Sequence, residues 1–415
     1  MYGSWKFFMQ SAAFRTWCVV FLSIAAGYFV LEKLNGRDQM ADFRVYHDAA
    51  SAWTKGEPMY GQAFGVSSGY YKYSPIAAAP FILFTLARYP VTSALYYIFI
   101  AFAFLFFTAT LLHNQEKLFG LDGYRAWFLV LFSLFVADHM ERELHLGNVN
   151  LFLLCLGIIS FLLLVDGKKW SYGLVFGIML LYKPHFVVLL PWLVWRKEWK
   201  AIGASALVVV SGLLVPSVFI GWKSNAHLLG EWVRAIQSHN VRLQDSPNTV
   251  YGILESFVFR PLGHGLGSGL IFVVLAVICA LVLFWLLRTE KHAELRNQRL
   301  YIEYFVLIAL IPNLAHTDTE HFMWSFPIIA FLLGTLLNIP FQRKWIYIFL
   351  TALAFIPYCL NSPDIVGRKL TALFDEGGLL GISNLLLIGL ALTLFSRLYL
   401  KKNSLAREGN PDRPT

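Results

Sequence analysis

Apolar runs of about 11 to 22 residues recur along the chain with short polar stretches between them, the pattern of membrane-spanning helices. They fall near residues 17–33, 76–87, 91–112, 126–137, 149–165, 171–182, 185–195, 201–220, 268–287, 300–315, 322–339, 345–360 and 379–398. The run from Ile76 to Ala87 is short and has Pro75, Pro80 and Pro90 in or around it, so it predicts an interfacial or re-entrant segment. About twelve crossings remain. The runs at 126–137, 171–182 and 185–195 fall short of the ~20 residues a bilayer needs. They predict a recessed, water-accessible cavity opening outward. No repeat of 20 to 50 residues and no matched pair of broken helices is visible, so the inverted-repeat signature of transporters is missing.

Composition agrees. Of 415 residues 57% are hydrophobic and only 14% charged, with a mean hydropathy of +0.58, which excludes a water-soluble fold. The formal charge is +9. With twelve crossings the basic excess collects on one side, in the tail to Arg15, 113–125, 166–170, 196–200, 288–299, 340–344 and the C-terminus. That is the positive-inside asymmetry, and it places both termini in the cytoplasm. The charge therefore marks orientation and calls for no nucleic-acid partner. The expected organisation is one integral-membrane domain over 1–400 and a cytoplasmic tail over 401–415, the first span staying attached because no cleavage site follows it. Cys18, Cys155, Cys279 and Cys359 are scattered singly and read as core thiols.

Two long outer connections, 34–90 and 221–267, are where chemistry is expected. In the first, Asp42, Tyr46, Ala49, Ala50 and Trp53 recur at helical spacing and predict an amphipathic helix on the membrane surface. Asp42 stands at its start, where it serves either as an N-cap or as a functional carboxylate; Asp48 faces away and is expected to be solvated. Lys72, among tyrosines and ahead of the proline-bounded segment, is a lipid-phosphate ligand or a snorkelling lysine. The stretch ADHMERELHLGNVN reads as a polar loop whose Asn148 and Asn150 cap the next span or bond a sugar. Lys183 lies between two very short spans, deep enough that it needs an aqueous or anionic partner, naturally a phosphate. The second connection, with Arg242, Asn248 and Arg260, resembles a lid. HTDTEHF places Asp318, Glu320 and His321 beside a span without the HExxH register, so no metal is expected.

In order, DFRVYHDAASAWTKGEPMYG, YKYSPIAAAPFILFTLARYP, HLGNVNLFLLCLG, GLVFGIMLLYKPHFVVLLPWLVWRKEW, SPNTVYGIL and TEHFMWSFPIIAFLL resemble the integral-membrane mannosyltransferases of glycosyltransferase superfamily C, among them the mycobacterial mannolipid α-1,2-mannosyltransferases. The resemblance covers about residues 10–340. It implies an all-α polytopic fold with an outer-face juxtamembrane helix region, a polyprenyl-phosphate sugar as donor, no further cofactor, and a lipid or glycan acceptor at the outer face of the cytoplasmic (inner) membrane. By the same resemblance Asp42 is the catalytic loop aspartate, Lys72 the lysine before the proline pair and His321 a catalytic-site histidine; in the mechanism expected from the residues together, Asp42 is the base, Lys72, Lys183 and Arg242 hold the donor phosphate, and Tyr46, Asn148, Asn150 and Asn248 contact sugar or acceptor. The family's Gly-Gln-x-Asn pattern stands here as Gly147-Asn148-Val149-Asn150, one methylene shorter at the second position. Two alternatives stay open: a lipid-linked saccharide flippase or transporter, and transfer of a sugar other than mannose.

Overall fold

The computed structural model describes residues 11–37, 40–65, 69–123, 125–238, 245–263, 295–315 and 318–400, with scattered positions between 265 and 285. It is an all-α polytopic membrane protein whose only strands among the described residues are the paired dipeptides Ala63–Phe64 and Gly69–Tyr70. Among the described residues five helices are long and apolar enough to cross a bilayer: Ala12–Leu34, Tyr89–Phe119, Trp199–Ile220, Thr319–Asn338 and Leu379–Tyr399. A sixth crossing arises if Ala126–Leu146 and Asn150–Val165, bent by 118°, act as one span. Of the other runs expected to cross, Lys169–Tyr182, Pro184–Trp195 and Lys344–Cys359 form helices under eighteen residues, and Pro75–Leu86 is short as expected of a segment that does not cross. Much of the run expected at 268–287 lies outside the described residues.

The chain divides into two compact units, residues 1–111 with 139–240 and residues 112–138 with 241–415. In the first, the loop helix Ala41–Lys55 buries Phe43, Val45, Tyr46, Ala49, Ala50 and Ala52. Phe43 stacks on Tyr96 at 4.3 Å and meets Phe84 edge-on at 5.4 Å, so an aromatic bed fixes this helix. Pro75–Leu86 is a 3₁₀ helix with Pro80 inside it; at ~2 Å rise per residue it is too short for the ~30 Å hydrocarbon core. Lys169–Tyr182 and Trp199–Leu214 approach closely through Gly173 and Gly177, where an added Cβ would sit 2.3 Å from the Ala201 carbonyl oxygen and 2.6 Å from the Val208 Cβ. Small residues permit such backbone contact between helices in lipid.

In the second unit Arg296–Leu314, Thr319–Asn338, Lys344–Cys359 and Leu379–Phe395 form the buried core. Gln115 donates to the Tyr301 hydroxyl and the Pro327 carbonyl, and Tyr358 donates to the Phe322 carbonyl at 2.7 Å.

Two expectations about loops are corrected. Residues 138–146 are helical, because Ala126–Leu146 runs on through the charged stretch and stops only at Gly147. The second outer connection contains the amphipathic helix Trp222–Ser238 and the short helix Val250–Leu254, capped by the Thr249 hydroxyl, which accepts from Gly252 N–H.

Candidate functional site

The site in the first unit is assembled at a chain break. Ala126–Leu146 ends with Gly147 at φ +69°, a left-handed conformation that favours glycine. A Cβ there would stand 2.7 Å from the Phe43 Cβ and 2.8 Å from the Met40 Cε, so the break lies directly against the start of the loop helix. That helix begins with Met40 at its cap position, φ 41°, and Asp42 stands in the first turn rather than at the N-cap. The positive helix end favours its carboxylate there.

The contact between these two segments is polar at one point. Asn148 Nδ2 donates to Asp42 Oδ2 at 2.6 Å, while Asn148 Oδ1 accepts from Val149 N–H at 2.7 Å and from the Tyr46 hydroxyl at 3.4 Å. Tyr46 is buried, and its hydroxyl also pairs with that of Tyr73 at 3.1 Å. Burial, then the neighbouring Tyr73 and Asp42, push the Tyr46 phenol well above its ordinary pKa, so it remains a proton donor in this chain of bonds. Tyr60 in turn donates to the Tyr73 carbonyl at 2.7 Å.

Lys183 closes the group from another direction. It sits in extended conformation between Lys169–Tyr182 and the 3₁₀ turn Pro184–Val188, where the proline cannot continue the hydrogen-bond ladder. Only 4% of it is exposed. Its ammonium donates to Asn150 Oδ1 at 2.5 Å and lies 5.8 Å from the centre of the Tyr73 ring. Asn150 opens the helix Asn150–Val165, and its Nδ2 is buried with no hydrogen-bond partner among the described residues. Beside it the buried Glu143 accepts from Leu151 N–H at 2.8 Å, an acidic side chain satisfying a donor of that helix end. Lys72 is exposed, and its carbonyl accepts from Trp232 Nε1 at 3.0 Å, which ties the lysine loop to the amphipathic helix Trp222–Ser238.

Asp48 is not simply solvated as the spacing predicted: it accepts from Arg44 Nε at 2.9 Å and pairs with His47 Nδ1 at 2.7 Å. Arg242 lies outside the described residues. Asn248 belongs to the second unit, where its Oδ1 accepts from Gly381 N–H at 3.1 Å and its carbonyl accepts from Asn313 Nδ2 at 3.0 Å. His321, also in the second unit and 6% exposed, stands edge-on to Trp324 with Nδ1 3.1 Å from the Asp318 carbonyl. With Nδ1–H donating there, Nε2 carries the lone pair. Asp318, Glu320 and His321 bring ligand atoms within 4.8 Å of one another and are the described residues whose types suit a divalent cation.

Of the residues singled out from the sequence, the structure brings Asp42, Tyr46, Lys183 and the two asparagines into one group, and it adds Tyr73, Tyr60, Glu143 and Trp232, which the sequence did not assign to it. Nothing in the spacing of the tyrosine run separates Tyr73 from its neighbours. Glu143 is visible only once the helix is seen to continue through residue 146.

The chain is similar to the following known proteins. The profile described as Glycosyltransferase family 87 matches residues 71–311, more than half of the chain. An alpha-(1->3)-arabinofuranosyltransferase of Corynebacterium glutamicum is 27% identical over 218 residues, 50% of this chain and 47% of that protein, so the chain spans about half the length of the curated relative it matches. The crystal structure of ArnT from Cupriavidus metallidurans bound to undecaprenyl phosphate aligns with 92% of this chain and 77% of that one, at 14% identity and a TM-score of 0.40.

Proposed function

This chain belongs to glycosyltransferase family 87, and from that premise we propose that it moves a sugar from a polyprenyl-phosphate donor to a lipid or glycan hydroxyl at the outer face of the cytoplasmic membrane. Both termini are on the cytoplasmic side in this reading, and no cofactor is required. The observation that carries it is that one unit holds both a partly exposed carboxylate in the first turn of the loop helix and a buried ammonium, connected through Asn148, Tyr46 and the Tyr73 ring.

In the reaction the acceptor oxygen attacks the anomeric carbon, the bond from that carbon to the phosphate oxygen breaks, and its electron pair leaves with the polyprenyl phosphate. The acceptor's proton passes to Asp42, so one base suffices and the anomeric centre inverts. A phosphate is already a stable anion on departure, unlike the alkoxide of a glycoside, which needs a second acid. Lys183 holds that phosphate and stabilises its charge, with Asn150 Nδ2 as a second donor and the exposed Lys72 as a further cation; Arg242 is assigned to the same phosphate from the sequence alone. Tyr46 is assigned to sugar or acceptor in this unit, and the sequence alone assigns the same kind of role to Asn248 and His321.

The sugar has two supported identities: mannose, which the sequence resemblance implies, and arabinofuranose, named in the Corynebacterium relative. The test incubates purified protein with polyprenyl-phosphate mannose or polyprenyl-phosphate arabinofuranose and a panel of lipid and glycan acceptors, reading products by mass spectrometry. One donor is expected to give a glycosylated acceptor and free polyprenyl phosphate, and Asp42→Asn to slow transfer by at least about 10³-fold while still binding donor. Turnover retained by Asp42→Asn sinks the base assignment. Translocation of an intact lipid-linked sugar without any glycosylated product supports the flippase instead.

A further inference from the structure

We infer that Asn148 is a positioning residue, holding the Asp42 carboxylate in the orientation that receives the acceptor's proton. This rests on the reading of Asp42 as the base. The direction of the Asn148 amide is fixed by its neighbours. Val149 N–H can only donate, so the atom 2.7 Å from it is the amide oxygen. An ionised carboxylate can only accept, so the atom 2.6 Å from Asp42 Oδ2 is the amide nitrogen. The two constraints agree, and a flipped amide would set donor against donor at one end and acceptor against acceptor at the other.

The arm is also held at its base. The Tyr96 hydroxyl donates to the Asn148 carbonyl at 3.3 Å, the Tyr46 hydroxyl reaches the amide oxygen, and Asn148 is 8% exposed. The close approach at Gly147 keeps this short arm within reach, since a side chain there would push the break off Met40 and Phe43. A hydrogen bond to Asp42 Oδ2 restricts rotation of the carboxylate, and with it the line along which it meets an incoming hydroxyl. The amide oxygen is already taken up by Val149 N–H and the Tyr46 hydroxyl, so the only contact left for a sugar is donation from the second Nδ2 hydrogen, and the kcat-against-KM test below separates that from positioning.

The test uses the full-length protein and the donor that the wild type accepts. Asn148→Ala is expected to lower kcat about 10- to 100-fold, the range for losing a hydrogen bond to a charged group, with donor and acceptor KM within about twofold of wild type. Asn148→Asp keeps the volume and the acceptance from Val149 but replaces the donor with a second carboxylate; it is expected to lose at least as much, and it decides the matter if the alanine variant fails to fold. A loss carried by KM, or an Asn148→Asp enzyme with wild-type kcat, overturns positioning in favour of a ligand contact or no role. A wild type without transferase activity, or normal turnover by Asp42→Asn, is seen before any Asn148 variant is made; it overturns the underlying reading and this inference with it.

Discussion

In the first unit Asn150 and Lys183 are buried side by side: the Lys183 ammonium donates to Asn150 Oδ1 and lies over the Tyr73 ring, while Asn150 Nδ2 has no hydrogen-bond partner among the described residues. In the second unit the asparagines close on one another. Asn384 Nδ2 donates to Asn313 Oδ1 at 2.7 Å and to the Ala309 carbonyl at 2.8 Å, its oxygen accepts from Ser325 at 2.5 Å, and Asn313 Nδ2 reaches the carbonyls of Asn248 and Gly381. Both clusters are polar groups inside an apolar protein, where an unmet hydrogen bond is expensive. The second is a self-satisfied brace between helices. The first keeps one buried donor, Asn150 Nδ2, without a partner among the described residues, next to a buried ammonium. What separates a binding site from a brace is therefore whether the bonds close, not how many polar residues are buried.

Breaking each cluster should give opposite results. Lys183→Met removes a buried ammonium and keeps similar volume, so the thermal midpoint of the detergent-solubilised protein is expected to hold or rise, since a buried charge is costly to keep. Transfer should fall by about 100-fold in kcat/KM as the donor phosphate loses its cation. A lower midpoint with transfer intact would make Lys183 a structural residue. Asn384→Ala strands the partners of its amide and should cost about 1–3 kcal/mol, read as a drop in thermal midpoint. Turnover per folded molecule should stay at the wild-type value. If Asn384→Ala leaves stability untouched but impairs transfer, the contrast between the two units collapses.

How much of this was legible in the sequence follows the same division. The helical fold and the special standing of Lys183 could be read directly, because apolar runs and a lysine between two short ones are local signals. Asp42 was visible through helical periodicity, but its cap role was misassigned: the left-handed Met40 starts the helix two residues earlier, and no propensity announces methionine there. The charged stretch 138–146 read as a loop because its polarity interrupts an apolar run, whereas His139, Met140, Glu143 and Leu144 of that turn are all buried and it stays helical. Asn148 could be singled out but not given its partner. The bond that defines its role joins residues 106 apart, and whether its amide faces sugar or carboxylate depends on which atom meets Val149 N–H. For Asn248 the sequence likewise cannot tell a ligand contact from an anchor for residue 381, 133 positions on.

The smallest effect comes from the other carboxylate on the loop helix, and it serves as an internal control for Asp42. Burial acts to raise the Asp48 pKa, but hydrogen bonds from His47 and Arg44, with the Arg44 charge, outweigh it and hold the carboxyl below its ordinary value. A carboxyl whose folded pKa is depressed contributes stability that is present above its unfolded pKa, about 3.9, and is lost as pH falls through the folded value. Arg44 and Asp48 are 40% and 31% exposed, so solvent screens the pair and its contribution is at most about 1 kcal/mol. Asp48→Asn should therefore lower the thermal midpoint slightly at pH 7, leave transfer unchanged, and become indistinguishable from wild type once the pH is below the depressed value. A gap between the two proteins that persists at that acidity would mean Asp48 stabilises the helix by something other than its charge. Loss of transfer in Asp48→Asn would show that any carboxylate change on this helix disturbs the site, removing the specificity claimed for Asp42.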